Sequence, residues 1–88
     1  RLDPEHGPPH YSLGEVRMEQ GRYPEAIDHL SEAIRINPED AESYHMRGLA
    51  YLATQQGRKG CTDLTVACDK GVCTGLQFAQ KQGACTLD

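Results

Sequence analysis

The amino-acid sequence repeats with a period of 34 residues, and this period constrains the fold more than any other feature. The segment RLDPE at 1–5 returns as RINPE at 35–39. Small and apolar residues keep the same spacing: Gly14, Ala26, Leu30 and Ala33 return as Gly48, Gly60, Leu64 and Ala67. Such a period is typical of stacked units that bury their apolar faces only against neighbouring units. We therefore predict a repeat array. Because 1–5 matches the end of a unit, we expect this chain to be part of a longer one.

Size and charge exclude several classes of protein. The chain has 88 residues, of which 38% are hydrophobic and 25% charged, so it can form one small domain with a thin core. Its net charge is −4 and it has no long run of Lys and Arg, so nucleic acid is not expected as a partner. No apolar stretch approaches the roughly 20 residues that span a bilayer, so we expect no membrane insertion of this segment.

The spacing of apolar residues predicts five helices. The clearest is the one at 24–36, where Ala26, Leu30 and Ala33 fall in one stripe opposite charged side chains. Gly21 is expected to end the helix before it, and Gly71 suits the left-handed residue that closes a helix. The predicted helices are Pro8 to Gln20, Pro24 to Ile36, Ala41 to Ala53, Arg58 to Lys70 and Thr74 to Gln82. Their short links predict antiparallel neighbours.

The repeated positions resemble the tetratricopeptide repeat. The first copy reads His10-x2-Leu13-Gly14-x2-Arg17, then Ala26-x3-Leu30, Ala33 and Pro38. The second reads Tyr44-x2-Arg47-Gly48-x2-Tyr51, then Gly60-x3-Leu64 and Ala67. Small residues here have a packing explanation, because Gly14 with Ala26, and Gly48 with Gly60, would let paired helices cross closely. The chain departs from the family pattern at four places: His10 replaces Trp, Arg17 replaces Tyr, Arg47 replaces Leu and Val72 replaces Pro.

The resemblance implies an all-α fold in which antiparallel helix pairs stack as an α-α superhelix. It divides a single domain, 1–88, into a first repeat at 7–40, a second repeat at 41–72, and a capping helix with tail at 73–88. The cap would shield the last apolar face of the array. The open end at Arg1, where a neighbouring unit should pack, is a candidate surface for self-association.

The same resemblance implies a non-enzymatic scaffold that holds a protein or peptide on its concave face, which the first helix of each pair lines. Family members that grip a C-terminal carboxylate use Lys, Arg and Asn there, and this chain does not, so we do not expect a clamp for chaperone tails. The alternative, that the larger side chains pack against neighbouring helices, stays open. The groove candidates are Tyr11, Glu15, Met18, Glu19, Glu42, His45, Leu49 and Leu52.

The four cysteines all lie in the last 28 residues, so they call for a local explanation. Cys61 and Cys68 share one helix face, and Cys73 and Cys85 bracket the last helix. If these helices form a hairpin that turns near Gly71, Cys68 lies beside Cys73 and Cys61 lies across from Cys85. We predict these two disulfides rather than either other connectivity. The bonds would indicate a periplasmic or extracellular location, and free thiols a cytoplasmic one.

Other interpretations of the cysteines define the second functional hypothesis, a redox- or metal-linked protein that uses the cysteine cluster. Structural zinc sites normally have close pairs such as C-x2-C, whereas here six, four and eleven residues intervene. No C-x-x-C motif is present to lower a thiol pKa. Four buried free thiols, which would behave as small hydrophobic side chains, are the structural alternative.

No catalytic constellation is found in the sequence. The histidines His6, His10, His29 and His45 include no pair spaced i, i+4 on one helix with a carboxylate partner, so packing or solvated roles are expected. Neither a G-x-S-x-G turn nor a phosphate-binding glycine loop is present. We therefore predict no enzyme activity, no metal site and no cofactor.

Overall fold

The computed structural model describes residues 9–85, which form five α-helices joined by short links and contain no strand. The helices are α1 at His10–Glu19, α2 at Tyr23–Ile36, α3 at Ala41–Ala53, α4 at Gly57–Asp69 and α5 at Thr74–Lys81. The predicted all-α fold is confirmed. The first helix begins later than its predicted start at Pro8, which lies outside the described residues, because Pro9 has extended backbone (φ −57°, ψ 143°).

Each helix packs on the next one along the chain, and α3 also touches α1 and α5. Contacts join α1 to α2, α2 to α3, α3 to α4 and α4 to α5, and further contacts join α1 to α3 and α3 to α5. The first helices of successive pairs are therefore neighbours. The stack measures 46 × 25 × 16 Å. Its superhelical curvature stays a prediction.

Three of the four links between the helices of 9–85 contain a residue in the left-handed backbone conformation. Gly21 after α1 has φ 74°, and Gly71 after α4 has φ 108°. Gln55, which is 34 residues after Gly21, has φ 63°. The amide of the next residue closes each of these helix ends on a carbonyl five residues earlier, as in Gln56 N to Tyr51 O at 2.8 Å. The repeat thus keeps the turn even where its glycine is replaced.

The close approach of α3 and α4 depends on Gly48 and Gly60. A Cβ atom at Gly60 would lie 2.8 Å from the carbonyl oxygen of Gly48, and one at Gly48 would lie 3.0 Å from that of Gly60. Both pairs share a second contact: a Cβ atom at Gly14 would lie 2.6 Å from Leu30 Cγ of α2, and one at Gly48 would lie 2.8 Å from Leu64 Cγ of α4. The predicted close approach at Gly14 and Ala26 stays a prediction. Leu30 and its counterpart Leu64 are fully buried.

Replacing Gly60 with Ala should lower the free energy of unfolding by roughly 1 to 3 kcal/mol, because the new methyl group meets a backbone carbonyl that cannot turn away. Urea unfolding followed by circular dichroism measures the change. Gly57→Ala is the matched control, since Gly57 begins the same helix and has nothing within 4 Å of its Cβ position. Equal stability of the two variants would contradict the close-crossing explanation.

A largely buried ion pair joins α3 to α4. Arg47 Nε donates to Asp63 Oδ2 at 2.7 Å and Nη2 donates to Oδ1 at 2.9 Å, while Nη1 donates to Ser31 Oγ of α2 at 3.1 Å. The Arg47 guanidinium also lies 5.8 Å and 5.6 Å from the ring centroids of Tyr44 and Tyr51. The family pattern has Leu at this position. Arg47 is accommodated here because the carboxylate of Asp63 pairs with its charge.

Helix α5 packs on α4 and α3, the two helices of the second pair. Leu64, Ala79 and Cys85 form a buried apolar cluster, and Leu49, Leu52, Cys61 and Leu76 pack against it. Gly75 lies close under the ring of His45, whose Nδ1 would be 2.7 Å from a Cβ at that position. The absence of a side chain at Gly75 thus lets α5 lie flat on α3 and α4.

Candidate peptide-binding groove

The eight predicted groove residues lie on α1 and α3, the two helices that touch as first members of successive pairs. On α1, Glu15 and Glu19 are exposed, and Tyr11 and Met18 are half-buried. On α3, Glu42 is exposed, and the other three candidates are half-buried. The two ends of this face have different surroundings.

The end built by α1 and the start of α3 is open and acidic. Partial burial raises the pKa of the Tyr11 hydroxyl, and the carboxylates of Glu15, Glu42 and Asp40 raise it further. Tyr11 therefore lies within electrostatic reach of carboxylates from its own helix and from the second repeat. A shallow cavity of about 220 Å³ adjoins it, lined by Pro9, His10, Tyr11, Ala33, Ile36 and Asp40. Ile36 is 58% exposed at its edge.

The other end of the face lies against the cap. Leu49 and Leu52 pack on the apolar cluster that α5 completes, and the ring of His45 lies against Gly75. The buried Nδ1 atom of His45 has no hydrogen-bond partner among the described residues. For His45, Leu49 and Leu52 the geometry favours the packing alternative, and their contact with a partner stays a prediction. The resemblance assigned them to the concave face, and it could not show that α5 packs against them.

The histidines of the first repeat form a pair that the sequence did not predict. His10 at the start of α1 and His29 of α2 have ring centroids 5.7 Å apart, with their Nδ1 atoms at 3.5 Å. The residues are 19 positions apart on different helices, so no local motif signals the contact. Within 9–85, no group of three or more His, Cys, Asp and Glu side chains could hold a metal ion. The two rings join α1 to α2 through this contact.

The cysteines lie in two pairs at the C-terminal end. The structure bonds Cys61 to Cys85, with Cα atoms 5.6 Å apart, and Cys68 to Cys73, with Cα atoms 4.0 Å apart. The pairs are those expected from a hairpin that turns near Gly71. Cys85 is only 4% exposed, so its sulfur is part of the apolar cluster under α5. Oxidation of these pairs in the protein stays a prediction that a thiol count tests.

Comparison with known proteins adds a family and two relatives. Residues 14–55 match the family model described as TPR repeat. The Hsp70-Hsp90 organizing protein of Triticum aestivum is 38% identical over 77 residues, which are 78% of this chain and 13% of that protein. The Hsp70-Hsp90 organizing protein 1 of Glycine max is 35% identical over 77 residues, 78% of this chain and 14% of that protein. This chain thus spans about one seventh of the length of either relative. No solved structure matches it.

Proposed function

The chain belongs to the tetratricopeptide repeat family, and we propose that it is a non-enzymatic scaffold module that holds a protein or peptide partner on the face shared by α1 and α3. The repeats and the relatives support protein interaction as its general role. The observation that carries the finer proposal is the open end of this face, where half-buried Tyr11 lines a cavity. Half-buried Met18 and the exposed carboxylates of Glu15 and Glu19 follow it along α1. We call this area the α1–α3 face and define it by Tyr11, Glu15, Met18, Glu19 and Glu42.

The relatives' names describe proteins that organize Hsp70 and Hsp90. We do not extend that partner choice to this chain. A C-terminal carboxylate is held by cationic and amide donors, and none of the five residues of the α1–α3 face is Lys, Arg or Asn. A partner that presents an acidic tail would meet like charge there, which costs free energy on binding.

The division of the chain is part of the proposal. We propose a first repeat at 7–40, a second repeat at 41–72 and a cap at 73–88 that the two disulfides hold in place. We also propose that the N-terminal end mediates self-association. No helix within 9–85 is long and apolar enough to cross a membrane. The comparisons give no support for the periplasmic location that was expected to accompany the disulfides.

The test is a differential capture with the full-length protein from its own host. Tyr11→Ala combined with Met18→Ala should reduce the recovered partner at least tenfold, because buried aromatic and apolar anchors contribute most to such interfaces. Val16→Ala is the control, since Val16 is an apolar α1 residue with 44% exposure that lies outside the α1–α3 face. Equal recovery with the double variant and with wild type would exclude this face as the binding surface.

A further inference from the structure

The α1–α3 face carries negative charge that no described cation neutralises. Glu15, Glu19 and Glu42 are all exposed, and none of them forms an ion pair with another residue of 9–85. Glu15 and Glu19 are four positions apart, so they lie next to each other on α1. Glu42 is the second residue of α3, two positions after Asp40, which lines the same cavity as Tyr11. Glu15 and Glu42 both raise the pKa of the Tyr11 hydroxyl. Carboxylates from both repeats therefore act on one aromatic side chain.

The arginine side chains near the α1–α3 face pair with residues outside it. Arg17 of α1 donates to Gln20 at 2.8 Å and has its Nε atom 3.9 Å from Glu25 of α2. Arg22 also pairs with Glu25. Arg47 of α3 is held by Asp63 on the opposite side, toward α4. The guanidinium groups of Arg17 and Arg47 are thus paired with carboxylates of the second helices, Glu25 and Asp63.

The same face offers apolar and aromatic contact. Tyr11 and Met18 are half-buried, and the cavity beside Tyr11 has walls from Pro9, Ala33 and Ile36. A tyrosine ring flanked by carboxylates attracts a cationic side chain in two ways, through its negative ring face and through the charges around it. An arginine can in addition bind one carboxylate with two parallel hydrogen bonds.

We propose that the segment held on the α1–α3 face is basic, a stretch of protein in which Lys or Arg alternates with an apolar side chain. Its cations would lie between Glu15, Glu42 and Tyr11, and its apolar side chain would fill the cavity edged by Ile36. Charge complementarity and the adjoining apolar cavity together select this occupant over an acidic or a purely apolar one. The inference rests on the proposed function, because it names the chemistry of the partner for that face.

Three fluorescent peptides of equal length test the proposal against the intact protein. One alternates Arg with Leu, and the other two replace every Arg with Gln or with Glu. We expect binding of the Arg peptide, with an affinity that falls as salt is added, and at least tenfold weaker binding of the other two. Failure of the Arg peptide to bind at millimolar concentration, or equal binding of all three, would overturn the proposal.

Two double variants with the same change in net charge test whether the carboxylates that bind the Arg peptide lie on the α1–α3 face. Glu15→Gln combined with Glu42→Gln should weaken binding of the Arg peptide roughly tenfold, since two exposed charge contacts are lost. Asp28→Asn combined with Asp69→Asn removes the same net charge from exposed positions elsewhere and should leave the affinity within twofold of wild type. If both double variants weaken binding equally, the peptide responds to the net charge of the protein and not to the α1–α3 face, and the proposed site is wrong. If capture of the host partner still depends on Tyr11 and Met18 while the Arg peptide fails, the proposed function stands and only the basic partner is excluded.

Discussion

Replacing Asp63 with Asn will lower the free energy of unfolding by about 3 kcal/mol, because the substitution leaves the charge of Arg47 largely buried without its counter-charge. The Asp63 side chain is 7% exposed and that of Arg47 is 20% exposed, so water can replace the lost carboxylate only in part. In a domain of this size such a loss corresponds to a fall of roughly 12 to 24 °C in the unfolding midpoint. Thermal and urea unfolding followed by circular dichroism will measure it.

Two comparisons separate the buried pair from surface charge. Glu32→Gln breaks the exposed Arg35–Glu32 pair and should cost no more than about 1 kcal/mol. Replacing both partners, Arg47→Leu with Asp63→Leu, should recover most of the stability lost in Asp63→Asn, because apolar side chains leave no unpaired charge. Leu is also the residue that the family pattern places at Arg47. An Asp63→Asn variant as stable as Glu32→Gln would show that the pair contributes little.

The periodicity of the sequence was sufficient to predict the helices, their order and two of the turns between them. The 34-residue repeat and the apolar stripes predict five helices and their order, and the turns at Gly21 and Gly71 follow from residues that tolerate positive φ. The positions of Gly48 and Gly60 at a helix crossing were predictable for the same reason, because they recur at equivalent places in two units.

Contacts between distant side chains were not predictable in this way. The Arg47–Asp63 pair and the His10–His29 contact join residues 16 and 19 positions apart on different helices, and each depends on rotamers and crossing angles that no local pattern encodes. The groove shows the same limit. The family resemblance assigns Leu49 to the concave face of α3, whereas in the structure Leu49 packs against the cluster that contains Ala79 of α5, and Gly75 of α5 lies against the ring of His45.

Replacing Cys85 with Ser should destabilise the cap by about 3.5 kcal/mol, the chain-entropy value for releasing a loop of this length. The bond to Cys61 closes a sequence separation of 24 residues. Cys85 also packs with Leu64 and Ala79, so the substitution places a hydroxyl in an apolar cluster. Among the helices of 9–85, α5 contacts α3 and α4 but neither α1 nor α2, so we expect it to open locally while α1 and α2 stay folded. Hydrogen exchange should show faster exchange of the α5 amides, with little change in α2.

Peptide binding supplies the control for this cap variant, because Tyr11, Glu15 and Met18 lie on α1, away from α5. Cys85→Ser should therefore bind the Arg peptide within about twofold of wild type at a temperature where α1 to α3 remain folded. Cys73→Ser gives the internal comparison, since its bond to Cys68 spans only 5 residues and should contribute about 2 kcal/mol. A count of four free thiols in denatured wild-type protein without reductant would refute both bonds, and Cys85→Ser would then cost only what a buried hydroxyl costs.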